Sequence, residues 1–411
     1  MTFDGVVIGG GPAGMFAAIT AANAGQRVLL LEKNDRLGKK LLITGKGRCN
    51  ITNDCSAREV LENIPRNGKF LYSIMEAYSP DHVIAYFNDH GCQTKTERGN
   101  RVFPVSDKSS SVLGCLKEQL HRSGVVVQFE KARKIVVGDG VVTGVDTDSG
   151  HISCKWVILA TGGLSYPATG STGDGFTMAK ALGHEVTSLE GSLVPLVADP
   201  EDCLRMQGLS LRNVGVKLLN AKGKVLYKDF GDLLFTHFGV SGPTVLSASA
   251  HLKGDDCKLL LDLKPALDEQ KLDARILRDF EENQNRDLEN TLGALLPRSM
   301  IPVVLEMAGI DGRIKCNSVT KQQRRALLET VKKFVIKVYG PRPVEEAIVT
   351  SGGIKVSEID PKTMESKKVA GLYFAGEIID VDAYTGGFNL QIAWATAHAA
   401  AFAAAGQTER K

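Results

Sequence analysis

Gly9, Gly11 and Gly14 stand in a Gly-x-Gly-x-x-Gly spacing, and Glu32 follows 18 residues after the last of them. In a dinucleotide-binding turn the first glycine permits the bend, the second lets backbone N–H groups approach a pyrophosphate, and the third lets a helix pack closely on a strand. A carboxylate at position 32 suits a ribose diol and argues against a 2′-phosphate there. Residues 45–50, Gly-Lys-Gly-Arg-Cys-Asn, form a second glycine-rich loop, this one cationic. It suits wrapping a pyrophosphate or a flat ring, with Arg48 able to pair a phosphate through two N–H groups and Asn50 beside it. Cys49 is a candidate acid or redox partner, against the alternative of a thiol that only packs. His237, just before a Gly-Val-Ser-Gly-Pro turn, has the pKa class for proton transfer near neutrality, against the alternative of a structural histidine.

These side chains need a scaffold, and the hydrophobic pattern supplies one. An apolar run at 5–8, the glycine turn, an alanine-rich stretch at 15–24 and a second apolar run at 28–31 read as strand, turn, helix and strand. Two parallel strands so connected imply a doubly wound α/β sheet. Residues 57–122 read as mostly helical, and short β runs at 125–129, 134–137, 141–145 and 156–160 read as a β-meander returning to that sheet. Strands are expected from Gly183 to about residue 263, then helical periodicity over 266–339, where Leu327, Leu328, Val331, Phe334, Val335 and Val338 supply the apolar positions. The last 40 residues or so return to an αβ pattern, with a buried helix expected near 389–405.

The chain has 411 residues, 43 of them glycine, with 43% hydrophobic and 24% charged residues, an ordinary globular composition that excludes collagen-like and disordered classes. Its eight cysteines include no C-x-x-C pair and no histidine at zinc spacing, so reduced thiols in a cytoplasmic protein without a metal are expected. No apolar run reaches the ~20 residues that cross a bilayer, so no membrane association is expected, and nothing points to a stable protein partner. The net charge of +3 hides an asymmetry: residues 313–342 carry nine basic residues and one acid, a local charge of +8, whereas residues 266–290 carry −4. The basic segment is either half of an intramolecular pairing surface or a face for a polyanion such as RNA.

Two later blocks sharpen the cofactor. An apolar run ends in Ala160-Thr161-Gly162-Gly163, and another ends in Ala375-Gly376-Glu377, with Asp380 close behind. Both resemble nucleotide-contacting segments of two-dinucleotide-fold flavoproteins, which makes FAD the expected ligand. More narrowly, Thr44 to Thr52, Leu234 to Pro243, Thr350-Ser351-Gly352-Gly353 and Gly386-Gly387-Phe388-Asn389-Leu390-Gln391 resemble the BaiN/YhiN-type flavoproteins, over nearly the whole chain. The resemblance implies a Rossmann-like FAD-binding domain from both termini, an inserted β-barrel-like domain and a helical subdomain within that insert. The corresponding boundaries are 1–190 with 350–411, 191–265 with 340–349, and 266–339.

Individual roles follow from chemistry. Glu377 sits just after an apolar strand, where the fold class of the resemblance places an acid on the ribityl chain. Gly387 allows close passage against a flat ring, and a helix opening at Phe388, Asn389 and Leu390 would aim N–H groups at the pyrimidine edge of a flavin, favouring negative charge by ~0.3–1 kcal/mol, or up to ~2 when partly buried. No second Gly-x-Gly-x-x-Gly provides a dedicated nicotinamide domain, so NAD(P)H, if it is the reductant, must bind transiently. The expected activity is FAD-dependent hydride transfer to an unsaturated substrate. Within the resembling family that substrate includes uridine of ribosomal RNA and sterol-like C=C bonds, with amine oxidation a further activity. A flavin-binding scaffold or redox sensor without turnover is the different class.

Overall fold

A computed structural model describes residues 2–252 and 256–407. The chain divides into two compact units, Met1–Ser192 with Val344–Lys411, and Leu193–Pro343. The expected boundaries at 190/191 and 349/350 therefore fall at 192/193 and 343/344. The second moves because Val349–Ser351 pairs antiparallel with Glu190–Ser192 inside the first unit.

The first unit is built on a five-stranded parallel sheet. Its spatial order is Leu372–Phe374, Trp156–Leu159, Gly5–Ile8, Val28–Glu32 and Val126–Phe129. Gly5–Ile8, Val28–Glu32 and Trp156–Leu159 are buried along their whole length, as strands covered on both faces must be. Pro12–Asn23 follows the first strand with proline at its first turn, where the missing N–H costs nothing. It packs on the C-terminal helix Phe388–Ala404, whose alanines and fully buried Trp394 are apolar all round. Among the described residues no helix is long and apolar enough to cross a membrane.

Two expectations change here. Val126–Phe129 is not part of the meander but pairs parallel with Val28–Glu32 at the sheet edge, while the meander itself is Ala132–Gly138, Val141–Thr147 and Gly150–Ser153. The stretch 57–122 is interrupted by the antiparallel strands Thr94–Glu97 and Arg101–Pro104, the latter also pairing with Thr52–Asn53. That pairing anchors the cationic loop.

The second unit is a closed antiparallel barrel in the order Leu196–Ala198, Gly239–Ser241, Val225–Thr236, Ser210–Leu219, Cys257–Asp262 and Phe334–Pro341. Closure removes the free edges that would template aggregation. The barrel interior and the helices Glu269–Glu282, Ile301–Met307 and Lys321–Lys332 share one hydrophobic cluster. The helical reading over 266–339 therefore runs too far. The helix stops at Lys332, and from Phe334 burial alternates with period two, Phe334, Ile336 and Val338 inward, which is a strand closing the barrel.

Candidate functional site

The glycine turns of the first unit singled out by sequence lie beyond the C-terminal ends of the parallel strands, the usual ligand position in such sheets. The Gly9 turn, the Thr161–Gly163 turn and the Gly376 turn follow three adjacent strands. A Cβ on Gly14 would lie 1.8 Å from Gly9 O, so helix and turn are in direct backbone contact. A Cβ on Gly11 would meet nothing within 4 Å, leaving open space over the helix start. The helix beginning at Pro12 has no side-chain cap, so its first N–H groups are available to a phosphate.

Glu32 is buried at the end of its strand. Its Oε2 accepts from Gly10 N at 2.8 Å, and its Oε1 accepts from Asn34 N at 2.8 Å and Asn34 Nδ2 at 2.7 Å. The acid thus braces the glycine turn while keeping lone pairs for a diol.

Glu377 anchors the other end of the site. Its carboxylate accepts from Lys40 Nζ at 2.7 Å, Ser165 Oγ at 3.0 Å and Thr350 N at 2.8 Å. Gly376 lies against the start of the first helix, since its Cβ would approach that of Ala13 to 2.9 Å. A Cβ on Gly162 would lie 3.9 Å from Glu377 Oε2, placing that turn beside the same carboxylate. Asp380 follows, 8% exposed, and burial pushes its carboxyl upward against the lowering effect of Arg66.

The cationic loop and the last helix are stitched together. Gly387 adopts φ of +100° and its Cβ would collide with Thr52 O at 2.3 Å, so only glycine allows this approach. Asn53 Nδ2 donates to Gly386 O at 2.9 Å, Thr52 Oγ1 to Gln391 Oε1 at 2.7 Å, and Trp394 Nε1 to Ile51 O at 3.0 Å. The helix starting at Phe388 has no side-chain cap and leaves its first N–H groups unclaimed by it. Asn389 holds the approach to this helix by accepting from Ala383 N at 2.9 Å and donating to Ala383 O at 2.7 Å. Its side chain is a strut rather than a ring contact. Phe388 is buried, and Leu390 packs partly buried on the same core.

Three of the sequence-selected residues carry a buried polar atom without a hydrogen-bond partner among the described residues: Asn50 Oδ1, Thr161 Oγ1 and Asp380 Oδ1. Each such atom costs about 1–3 kcal/mol if left unpaired. Asn50 Oδ1 and Asp380 Oδ1 would find partners in a ligand rich in hydroxyl, amide and phosphate groups, whereas Thr161 Oγ1 packs against Gly175, whose Cβ would lie 2.0 Å from it. The residues fit FAD.

Two expected roles do not fit the geometry. The Arg48 guanidinium is not open to phosphate: it is bound by Glu97 and Asp107, with Nε 2.9 Å from Asp107 Oδ1, and sits 4.1 Å from the centre of the Phe103 ring. It braces the loop against the hairpin behind it. Cys49 is fully buried at φ of +63°, and burial pushes its thiol up to about 12 despite a hydrogen bond with Thr44. A thiol so held is neutral at physiological pH and closed to solvent. His237 lies at the exposed tip of the hairpin between Val225–Thr236 and Gly239–Ser241, edge-on to Phe238.

The sequence reading missed Lys40, Asn53, Ser165 and the role of Gln391. Thr52, Thr350 and Gln391 sit inside motifs already singled out. Lys40 had no signal, since a Lys-Lys pair before an apolar run looks like any solvated helix start. The +8 segment also changes meaning. Arg313, Lys315, Arg324, Arg325 and Lys332 pair with Asp311, Asp287, Asp273, Glu329 and Asp262, all within the second unit.

The sheet with its glycine turns is a Rossmann-type dinucleotide-binding fold, and the family and relatives it matches make the chain an FAD-dependent oxidoreductase. The HI0933-like protein Rossmann domain family matches residues 3–403, and the chain belongs to that family. It is 30% identical over 403 residues to the ribosomal RNA dihydrouridine synthase of Escherichia coli (strain K12), covering 97% of each chain. It is 29% identical over 409 residues to the 3-dehydro-bile acid delta(4,6)-reductase of Clostridium scindens, covering 97% of this chain and 98% of the relative. The solved 3-ketosteroid delta1-dehydrogenase of Sterolibacterium denitrificans shares the fold, with a TM-score of 0.53 at 14% identity over 98% of this chain and 99% of that one.

Proposed function

We propose that this protein saturates a carbon–carbon double bond conjugated to a carbonyl, with NAD(P)H as the electron source, and that uridine in ribosomal RNA is the substrate. The observation that carries the reading is the full-length similarity to two relatives whose names describe different molecules and the same change. Dihydrouridine and a reduced delta(4,6) bile acid both arise by adding two hydrogens across a C=C bond activated by a nearby carbonyl. When bound, FAD would supply hydride-transfer chemistry toward such a bond.

The chain's own residues provide the rest. The turn at Gly9–Gly14 and the uncapped helix start would hold the pyrophosphate, Glu32, which braces that turn, the ribose, and Glu377, held by Lys40, the ribityl region. The N–H groups opening Phe388–Ala404 favour negative charge at the pyrimidine edge. His237 is the group assigned to proton transfer.

RNA is placed ahead of a small enone because two full-length relatives carry that name, those of Escherichia coli and Haemophilus influenzae, at 30% and 29% identity over 97% of this chain. The bile acid relative, at almost the same identity and coverage, supports the small-molecule reading as second. Nucleoside mass spectrometry of ribosomal RNA from wild-type and deletion cells separates them. Loss of dihydrouridine on deletion is the expected result. Unchanged dihydrouridine refutes the RNA reading.

A further inference from the structure

The outer face of the barrel carries an arrangement the ion-pair network does not explain. From Arg212 to Lys228 the chain has five basic residues and no acid. In the antiparallel registers Lys217 lies opposite Lys228, and Lys258 lies opposite Lys337. Lys217 also pairs in register with Leu260, and Leu219 with Lys258, so the two lysine pairs occupy adjacent rows of one continuous face. Lys222 and Lys224 extend it through the exposed turn between Ser210–Leu219 and Val225–Thr236. All six ammonium-bearing residues are exposed.

Like charges directly opposite on a sheet destabilise it, so two such pairs side by side need a compensating role. The acids near the face do little to relieve them. Asp262 is bound to Lys332, and Asp229 accepts from Tyr227 OH and Phe230 N. Asp199 accepts from Lys337 N and Tyr339 OH, and among the described residues Asp256 lies exposed at the rim beside Lys258. Lys217, Lys228 and Lys258 make no ion pair among the described residues. Beside the lysine rows, Phe230 stands 55% exposed, opposite Gly215, as a ring available for stacking. Unpaired cations in rows with an exposed aromatic at the border are the chemistry that tracks a phosphodiester backbone and stacks a base.

We infer that this barrel face, and not the ion-paired helical surface at 313–332, is where the RNA backbone docks. The inference rests on the RNA reading for its partner, and binding tests it separately from turnover. The design uses Lys217→Glu with Lys258→Glu in the FAD-loaded full chain, which converts both like-charge pairs into opposite-charge pairs. Flavin absorbance and melting temperature report that the variant folds, and the melting temperature is expected to hold or rise.

Binding to protein-free ribosomal RNA from deletion cells is measured against salt. The variant is expected to bind about tenfold or more weakly near 0.1 M salt, with a log–log slope shallower by roughly 1.4–1.8 for two lost phosphate contacts. Lys217→Arg with Lys258→Arg should retain affinity, and Arg324→Glu with Arg325→Glu should leave it unchanged. Unchanged binding by the Glu variant with its flavin intact overturns the proposal, whatever the dihydrouridine content of deletion cells. Stronger binding to phosphatidylglycerol vesicles than to RNA, lost in the same variant, overturns it in favour of a membrane. Loss of RNA binding with unchanged dihydrouridine in deletion cells keeps the surface and removes uridine as its substrate.

Discussion

Lys40 Nζ lies 2.7 Å from Glu377 Oε2, joining residues 337 positions apart, and both accompany Ser165 in one hydrogen-bonded cluster. The contact ties the short helix Lys39–Ile43 to the turn after the last strand of the sheet. It fixes where the Glu377 carboxylate stands before any ligand arrives.

Lys40→Met leaves that carboxylate without its cation, at a cost of about 1–3 kcal/mol for a charged hydrogen bond. Retained FAD should fall, with Kd weakened about ten- to a hundredfold by fluorescence titration. Lys40→Arg should recover part of the loss. If Lys40→Met binds FAD as wild type does, Glu377 does not hold the cofactor.

Two glycines of the first turn should separate folding from binding. Gly14→Ala drives a Cβ into Gly9 O and should cost about 1–3 kcal/mol or more by overpacking, read as a lower melting temperature without FAD. Gly11→Ala meets open space, and its φ of −77° suits alanine. Its melting temperature without FAD should match wild type while FAD affinity drops. Equal effects in both assays would contradict the assignment of Gly11 to ligand approach.

Cys49→Ala and His237→Gln should likewise diverge. A fully buried neutral thiol can be removed at about 1 kcal/mol of stability with turnover nearly unchanged, and native Cys49 should resist iodoacetamide at pH 8. Loss of a general acid costs about a hundredfold in rate. His237→Gln should show that loss with FAD content unaltered; full activity would remove His237 from the proton path.

Stability should fall as pH drops below about 6.5. Burial, with a smaller contribution from His82, lowers the His398 pKa to about 4, while the ring stacks on Tyr78 at 4.4 Å. Because the unfolded chain takes up this proton first, the contribution is present above about 6.5 and is lost as pH falls through about 4. The full span is worth about 3 kcal/mol. His184, also lowered chiefly by burial, adds to the same trend. His398→Phe should flatten part of the decline in urea melts at pH 7, 5.5 and 4; an unchanged profile would contradict a half-buried ring held neutral.

Local signals carried much of this fold. The 5–32 unit was readable because strand, turn and helix each announce themselves within a few residues, and Gly387 because a glycine pair opens an alanine-rich helix. Phe334–Pro341 was not, because its inward residues also satisfy part of a helical period and the barrel partners that decide between them lie about 75–140 residues away. The same distance problem hid Lys40, whose partner is in the last strand's turn. Arg48 was legible as a loop cation, but its acids, Glu97 and Asp107, belong to a hairpin region read as helix.

The most direct test of the central claim uses the purified protein with its bound flavin, NAD(P)H and ribosomal RNA from deletion cells, followed by nucleoside mass spectrometry. A uridine two hydrogens heavier is expected, appearing only when all three components are present. Release of FAD on denaturation with no such nucleoside, together with reduction of a 3-oxo-Δ4 steroid in the same preparation, would contradict it.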